Sequence, residues 1–586
     1  MAKSPQNAII CFWICFLLLT VQPGATARAA DELDSVMYRS PELPLARVVK
    51  TFPDGLVKLW LDALARPEVD YKCNAALAIA TAHERGMSRL DATVAPLIRE
   101  LDRADQHPTV RVAVARALVA LDARAAAASF FRLMSEDDAA LRELIDPALA
   151  RWDHAPARAL WLARLDQPPH RRATALAIQA LAAVREEKAI PRLRDLVSSR
   201  DESPAVRLEA ARALAVLHPA GSEEDATRLA ADRSPRGMTD RLAAAILLRQ
   251  HKSDAAVRLL QSLSADTEPA VASIALARLV EIDAKHLGPR MDQVLASPDA
   301  KVRGFGVEAL VRYPGAANIR LLGDRLADPH PAVRSQARRS LRELALRFQW
   351  REAVVREGTR VLAADDWRGR EQAAILLAQM EHKPSAARLV ELLTTDRTEV
   401  LVAAAWGLRK LAVAETLPAV LEYLRQTVAA GRRGRSAEAV DLQLSHLAQF
   451  LGMSKYRPAD ATLRELVPPQ QRAGAETRAA AVWALGLLHE AKPDPRLVGA
   501  LAGRIAAVMP GDLEDNRVRR MSAVTLGRLK AADGLPTLRQ FYRNKQQSLD
   551  VVNNGCGWAI EQITGEKVPD GTAEVPQRDW FLLPIK

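Results

Sequence analysis

The pattern Asp-x-x-Pro-x-Val-Arg returns along this chain. A motif at a steady period commits a sequence to an array of like units. It reads Asp105, Pro108, Val110, Arg111, then Asp201, Pro204, Val206, Arg207, then Asp328, Pro331, Val333, Arg334. Asp266, Pro269 and Val271 form a further copy, with Ala272 in the Arg position. The four Asp positions are spaced by 96, 65 and 62 residues, multiples of a unit of about 32. Weaker copies at Pro298-Asp299 with Val302-Arg303, at Thr239-Asp240-Arg241 and at His170-Arg171-Arg172 fill the gaps. Others follow near Glu399, Arg478, Arg517 and Leu549.

After each Val-Arg the apolar residues fall three and four apart. Val110, Ala113, Val114, Ala117, Leu118 and Leu121 are one such stripe, and Val206, Ala210, Ala213, Leu214 and Leu217 are another. That spacing is one face of an α-helix. The stretch before each turn supplies a partner helix. Proline in the turn has no N–H to lose at a helix start and stops the preceding helix. The turn Asp is expected to accept first-turn N–H groups. The reading is an all-α chain, an α-solenoid of about fifteen helix pairs. Composition agrees: only 10 Trp, 6 Tyr and 10 Phe occur among 586 residues, with 27 Gly, too little material for a sheet-rich fold.

These turns and the Ala-x-x-Ala-Leu helices after them resemble HEAT repeats. The short period is similar to the bacterial HEAT-like type found in phycobilisome lyases. The resemblance implies a ladder in which turn Asp and helix Arg bind neighbouring units, placing Asp105, Arg111, Asp201, Arg207 and Asp328 in structural roles. It implies no single activity, because such arrays serve many functions.

The N-terminus reads as a secretory signal. Lys3 precedes an apolar run over 8–21 of about 14 residues, short of the ~20 that span a bilayer. Ala27-Arg28-Ala29 offers a cleavage site, with Ala25-Thr26-Ala27 as the alternative. An uncleaved anchor is the competing reading. The expected organisation is a signal at 1–29, a linker at 30–45, the solenoid at 46–565 with longer units at 426–477, and a tail at 566–586 folded over the last repeat. Trp580 and Phe581 lie in that tail. Cys11 and Cys15 would leave with the signal, so only Cys73 and Cys556 remain. Two distant cysteines make neither a disulfide framework nor a zinc site.

Catalytic signatures are sparse. The sequence has no glycine-rich phosphate loop, no Gly-x-Ser-x-Gly elbow and no Cys-x-x-Cys-His. His83-Glu84 and His489-Glu490 echo the iron-binding pairs of the deoxyhypusine hydroxylases, also HEAT arrays. Two such pairs here stand where that family has four, and no cofactor or metal is expected. The first expectation is therefore an exported, non-enzymatic scaffold for protein–protein interaction, in the periplasm or at the surface of a bacterial cell. The 82 basic residues outnumber 71 acidic ones, a net charge of +11. An acidic partner is favoured, with an anionic glycan or lipid as alternatives. A HEAT-like lyase or hydroxylase, or a nucleic-acid-binding array if the chain is not exported, are the competing readings.

Two groups of arginines stand out as partner-binding candidates. Arg432, Arg433 and Arg435 form a basic loop. Arg334, Arg338 and Arg342 lie four residues apart on one helical face. Other units carry apolar residues at the last two positions, such as Ala211 and Ala215. Two readings stay open: the face opens to an acidic ligand, or the charges pair with Glu352, Asp365 or Asp366 beside Trp350.

Overall fold

Proline opens the second helix of each clear repeat. The computed structural model begins helices Pro108–Ala120, Pro204–Leu217, Pro269–Asp283 and Pro331–Ala345 on it, where the missing N–H costs nothing. It describes residues 33–43, 47–135, 138–167, 170–430, 437–468, 473–542, 550–568 and 572–583. The helices come in pairs, and within each of two units the second helix of a pair stacks on the second helix of the next. The architecture is an all-α solenoid. No helix among the described residues is long and apolar enough to cross a membrane.

The turn Asp does not cap these helices. In three of the four the residue just before proline does: His107 Nδ1 accepts the Thr109 N–H at 3.2 Å, Ser203 Oγ accepts Val206 N–H at 3.4 Å, and His330 Nδ1 accepts Ala332 N–H at 3.3 Å, whereas Glu268 gives Pro269–Asp283 no side-chain cap. Capping needs a side chain at the residue flanking the first turn, and the motif Asp lies two residues too early. In repeats without that proline, Asp138, Asp299 and Asp366 stand at the cap itself.

The chain divides into two units. One comprises 48–350 and 574–583. It holds nine helix pairs, and its core is built from small and branched residues such as Ala76, Ile79, Val114 and Leu118. Its first pair receives the C-terminal tail. Trp580 sits 5.5 Å from Trp60 and 6.0 Å from Phe52, centroid to centroid, and the Arg85 guanidinium lies 4.8 Å over its ring. Trp60 Nε1 donates to Phe581 O at 2.8 Å. Strand Arg47–Thr51 pairs with strand Thr572–Pro576, and Gln577 N–H donates to Thr51 O at 2.8 Å. Trp580 and Phe581 thus cover the first repeat rather than the last. Two large aromatics need an apolar seat, and Trp60 with Phe52 provides one.

The other unit comprises 351–573 together with 33–47 and holds six helix pairs. Its longer helices, Leu417–Ala430 and Ala437–Met453, fall where the sequence period stretches. The second helices pack closely. A Cβ on Gly452 would lie 2.6 Å from Ala484 Cα, and one on Gly474 would strike the Asp441 carboxylate. That carboxylate reaches across to accept the N–H groups of Glu476 and Thr477 at 3.0 Å each, so one helix caps the next. Residues 34–43, expected as a linker, are instead docked along this unit.

Candidate functional site

The second helices Thr398–Leu411, Ala437–Met453, Ala475–Leu488 and Asn516–Leu529 form a continuous platform, each packed on the next. Every one of them offers polar side chains from an otherwise apolar helix. Residues 34–43 lie across all four.

Most of these contacts read the main chain of the docked segment. Arg409 Nη2 donates to Asp34 O at 2.5 Å and to Asp34 Oδ1 at 3.1 Å. Gln449 accepts the Met37 N–H at 3.4 Å and donates to Ser35 Oγ at 2.9 Å. Arg520 Nη2 donates to Tyr38 O at 3.3 Å. Trp483 Nε1 and Arg528 Nη2 both donate to Ser40 O at 2.5 Å. Carbonyls are common to every sequence, so these bonds fix path and register. Side-chain contacts add selectivity. Trp406 Nε1 donates to Asp34 Oδ1 at 3.2 Å, and the Tyr38 hydroxyl donates to Glu476 Oε2 at 2.7 Å. The Met37 side chain is wholly buried. Arg528 also lies 5.1 Å over the Trp483 ring, a cation–π contact that holds both donors in place.

Burial shapes the charges here. Removal from water opposes ionisation of Asp34, but the Arg409 guanidinium and the Trp406 N–H outweigh it, and the carboxyl is held below its usual range. Burial pulls Arg528 down to about 10 and His446 down to about 3, the latter helped by Arg409. His446 is therefore neutral beside Asp34. Burial, then the bond to Glu476, pushes the Tyr38 hydroxyl up.

Donors exceed acceptors in this groove. Arg409 Nε, Arg520 Nε and Arg528 Nη1 are buried with no hydrogen-bond partner. Each of the three arginines hydrogen-bonds the segment through Nη2, and Arg520 also lies 5.6 Å over the Tyr38 ring.

The sequence-predicted residues fall elsewhere. Arg207 pairs with Asp240 and bonds Val197 O, and Arg303 holds Asp328 through two bonds. Arg241 holds Asp266, and Arg478 holds Glu514, in the same way. In these repeats the fourth residue of the second helix is an arginine that reaches an acid of the next repeat. It also binds carbonyls of its own turn, as Arg111 does at Arg103 O and Ala104 O and Arg334 does at Asp328 O and Pro329 O. These satisfy groups left open where the preceding helix ends. Asp201 and Asp105 stand outside this ladder. The fourth residue of the repeat before Asp201 is Thr174, and that before Asp105 is Lys72, which pairs with Glu100. Asp201 is exposed, and exposed Asp105 pairs with Arg103 at 3.4 Å.

Arg338 is 1% exposed, Arg334 is buried and Arg342 faces solvent, so the three do not share one open face. Asp365 pairs with Arg370 at 2.7 Å and Asp366 caps its own helix. Arg432, Arg433 and Arg435 lie outside the described residues. His489 bonds Asp460 at 2.5 Å, Glu490 pairs with Lys455 at 3.1 Å, and His83 is exposed. No three His, Cys, Asp or Glu side chains converge on a metal site among the described residues.

Sequence reasoning did not find the groove. A signal was present: Gln443, His446 and Gln449 recur every three residues within Ala437–Met453, placing buried polar groups along a helix that should be apolar.

No family model matches this sequence, and no curated protein matches it. Solved structures do match its fold. A structure of Kap95p studied with RanGDP superposes with a TM-score of 0.52 at 14% identity, covering 87% of this chain and 72% of that one. Kap121p bound to Pho4p superposes with a TM-score of 0.50 at 12% identity, covering 86% of this chain and 56% of that one. With the paired helices above, these define the class: the chain is a HEAT-repeat α-solenoid.

Proposed function

We propose that this chain is an exported, non-enzymatic HEAT-repeat scaffold, which binds a peptide segment of its protein partners along the second helices of the 351–573 unit. The observation that carries the reading is the docked segment: Arg409, Gln449, Trp483, Arg520 and Arg528 grip its backbone. A row of donors aimed at main-chain groups holds a peptide by its backbone, and contacts to its side chains select among sequences. Among the solved structures of similar fold, Kap121p is bound to a protein, Pho4p. Export is supported by the Lys3-led apolar run and the Ala27-x-Ala29 site. Cleavage there leaves a mature chain that starts four residues before Asp34 in sequence, and export places the scaffold in the periplasm or at the cell surface.

The test is affinity capture of the natively expressed chain from an envelope fraction. A partner held by the wild type and by Asp201→Ala, but lost with Gln449→Ala plus Arg528→Ala, supports the reading. Equal capture by the groove variant refutes it. N-terminal sequencing of the same material checks export: a start near Ala30 is expected, and Met1 or Ala2 contradicts cleavage.

A further inference from the structure

We infer that the groove on helices 398–411, 437–453, 475–488 and 516–529 is a site for an acidic segment of a partner protein, with residues 34–43, which make a 3-10 turn at Val36–Tyr38, as its resident competitor. The inference rests on the scaffold reading and names the ligand class of the same site.

Charge complementarity is the first argument. The groove turns Arg409, Arg520 and Arg528 toward the occupant, yet residues 34–41 bring one carboxylate, Asp34. Glu42 is exposed. Half-used forks are the second. A guanidinium is shaped to give two parallel N–H groups to one carboxylate. Arg528 spends Nη2 on both Ser40 O and Ser40 Oγ while buried Nη1 has no partner. Arg520 and Arg409 likewise leave Nε unmet. Buried donors without acceptors are costly, and a serine hydroxyl is too small to serve both prongs of Arg528. An aspartate at the Ser40 position has two oxygens for them.

Tethering is the third. A segment carried on the same chain as its site competes as an intramolecular ligand, at an effective concentration set by the connection rather than by the solution. It stays bound with imperfect contacts. A partner arriving from solution needs better ones, and the unmet donors are where it gains them. The recognised segment thus carries a carboxylate in the Asp34 position, a buried apolar residue in the Met37 position, a tyrosine in the Tyr38 position and a second carboxylate in the Ser40 position.

The experiment uses the full chain with a specific protease site placed at 44–46, cut after folding. Two fluorescein-labelled peptides are compared by anisotropy: residues 33–43 as they stand, and the same peptide with Ser40→Asp. Both should bind the cut chain, the Asp peptide about tenfold more tightly. The uncut chain should bind either roughly a hundredfold more weakly, because the tethered segment competes. Arg528→Ala should erase the gain from Asp while the native peptide still binds. An Asp peptide no tighter than the native one overturns the acidic preference. Equal binding by cut and uncut chains places the peptide outside the groove and overturns the site. A cut chain that loses its helical signal makes the segment a core element and overturns the proposal. Dimers formed by exchange of the segment after cutting make a second copy the occupant, with the same consequence. If the Asp peptide binds as expected but no partner is captured from the envelope, the ligand chemistry stands and the scaffold reading falls.

Discussion

Arg303 and Asp328 join neighbouring repeats through two parallel bonds, Nε and Nη2 lying 2.8 and 2.7 Å from the two carboxylate oxygens. The third nitrogen, Nη1, bonds Ser297 O and Pro298 O at 2.8 and 3.0 Å. One side chain thus closes its own turn and grips the next repeat, and both partners are buried. Removing one member of such a pair strands the other charge, at a cost of about 3–5 kcal/mol. Asp328→Ala should lose that much stability, and hydrogen exchange should quicken around 290–345, because arrays couple mainly to nearest neighbours. Asp201→Ala, at an exposed position outside the ladder, should stay within about 0.5 kcal/mol of wild type. Equal losses in the two variants would remove the ladder from this account.

Trp580 should anchor the tail to the first repeat. Its ring packs on Trp60 and Phe52 under Arg85. Trp580→Ala leaves a large cavity, and such truncations cost about 3–5 kcal/mol. Exchange should quicken within Leu56–Leu64 and Val69–Glu84 and stay unchanged around Trp483. An unchanged thermal transition would show that the tail is not seated there.

Cysteine reactivity should divide sharply. Cys556 is fully buried, and burial pushes its thiol up to about 12. Cys73 is half-buried, and burial followed by Asp70 also raises it. The thiolate is the reactive form. Alkylation at pH 8 followed by peptide mapping should label Cys73 slowly and Cys556 only after denaturation. Native labelling of Cys556 would contradict its packing.

Docking of the segment should weaken in acid. The docked Asp34 carboxyl titrates below its usual value. A depressed carboxyl contributes fully above the free value of roughly 3.9 and loses that contribution as pH falls through the docked value. The groups facing it are Arg409, Trp406, Arg39 and His446, and His446 stays neutral down to about 3. Peptide 33–43 should bind the cut chain with flat affinity above about pH 5 and progressively more weakly below about pH 4. An Asp34→Asn peptide should bind more weakly at pH 7 and lack most of the acid-dependent step. Identical profiles would separate Asp34 from docking.

Much of the solenoid was legible because its signals are local. Pro108, Pro204, Pro269 and Pro331 mark helix starts on their own, and the Ala and Leu spacing after them marks the buried face. The ladder was legible only in part. Asp328 holds Arg303 because an arginine occupies the fourth helix position one repeat earlier, whereas Thr174 and Lys72 stand there before Asp201 and Asp105. A motif shows each residue type but not its partner in the next repeat. The groove was hidden for a stronger reason. Asp34 and Arg409 are 375 residues apart and Ser40 and Arg528 are 488 apart, so no period or spacing links them. The Arg334, Arg338 and Arg342 series shows the limit of helical geometry: equal steps of four gave two buried arginines and one exposed, because the next elements decide burial.

Residues 34–43 behave as a bound peptide, gripped through their backbone by Arg409, Gln449, Trp483, Arg520 and Arg528. Hydrogen exchange of that segment in the full chain tests it most directly. The Met37 amide donates to Gln449 Oε1, so it should exchange well below the rate of the free peptide 33–43. Gln449→Ala plus Arg409→Ala should restore most of the free rate there while helices 475–488 and 516–529 stay protected. Exchange of wild-type 34–43 at the free-peptide rate would contradict the claim.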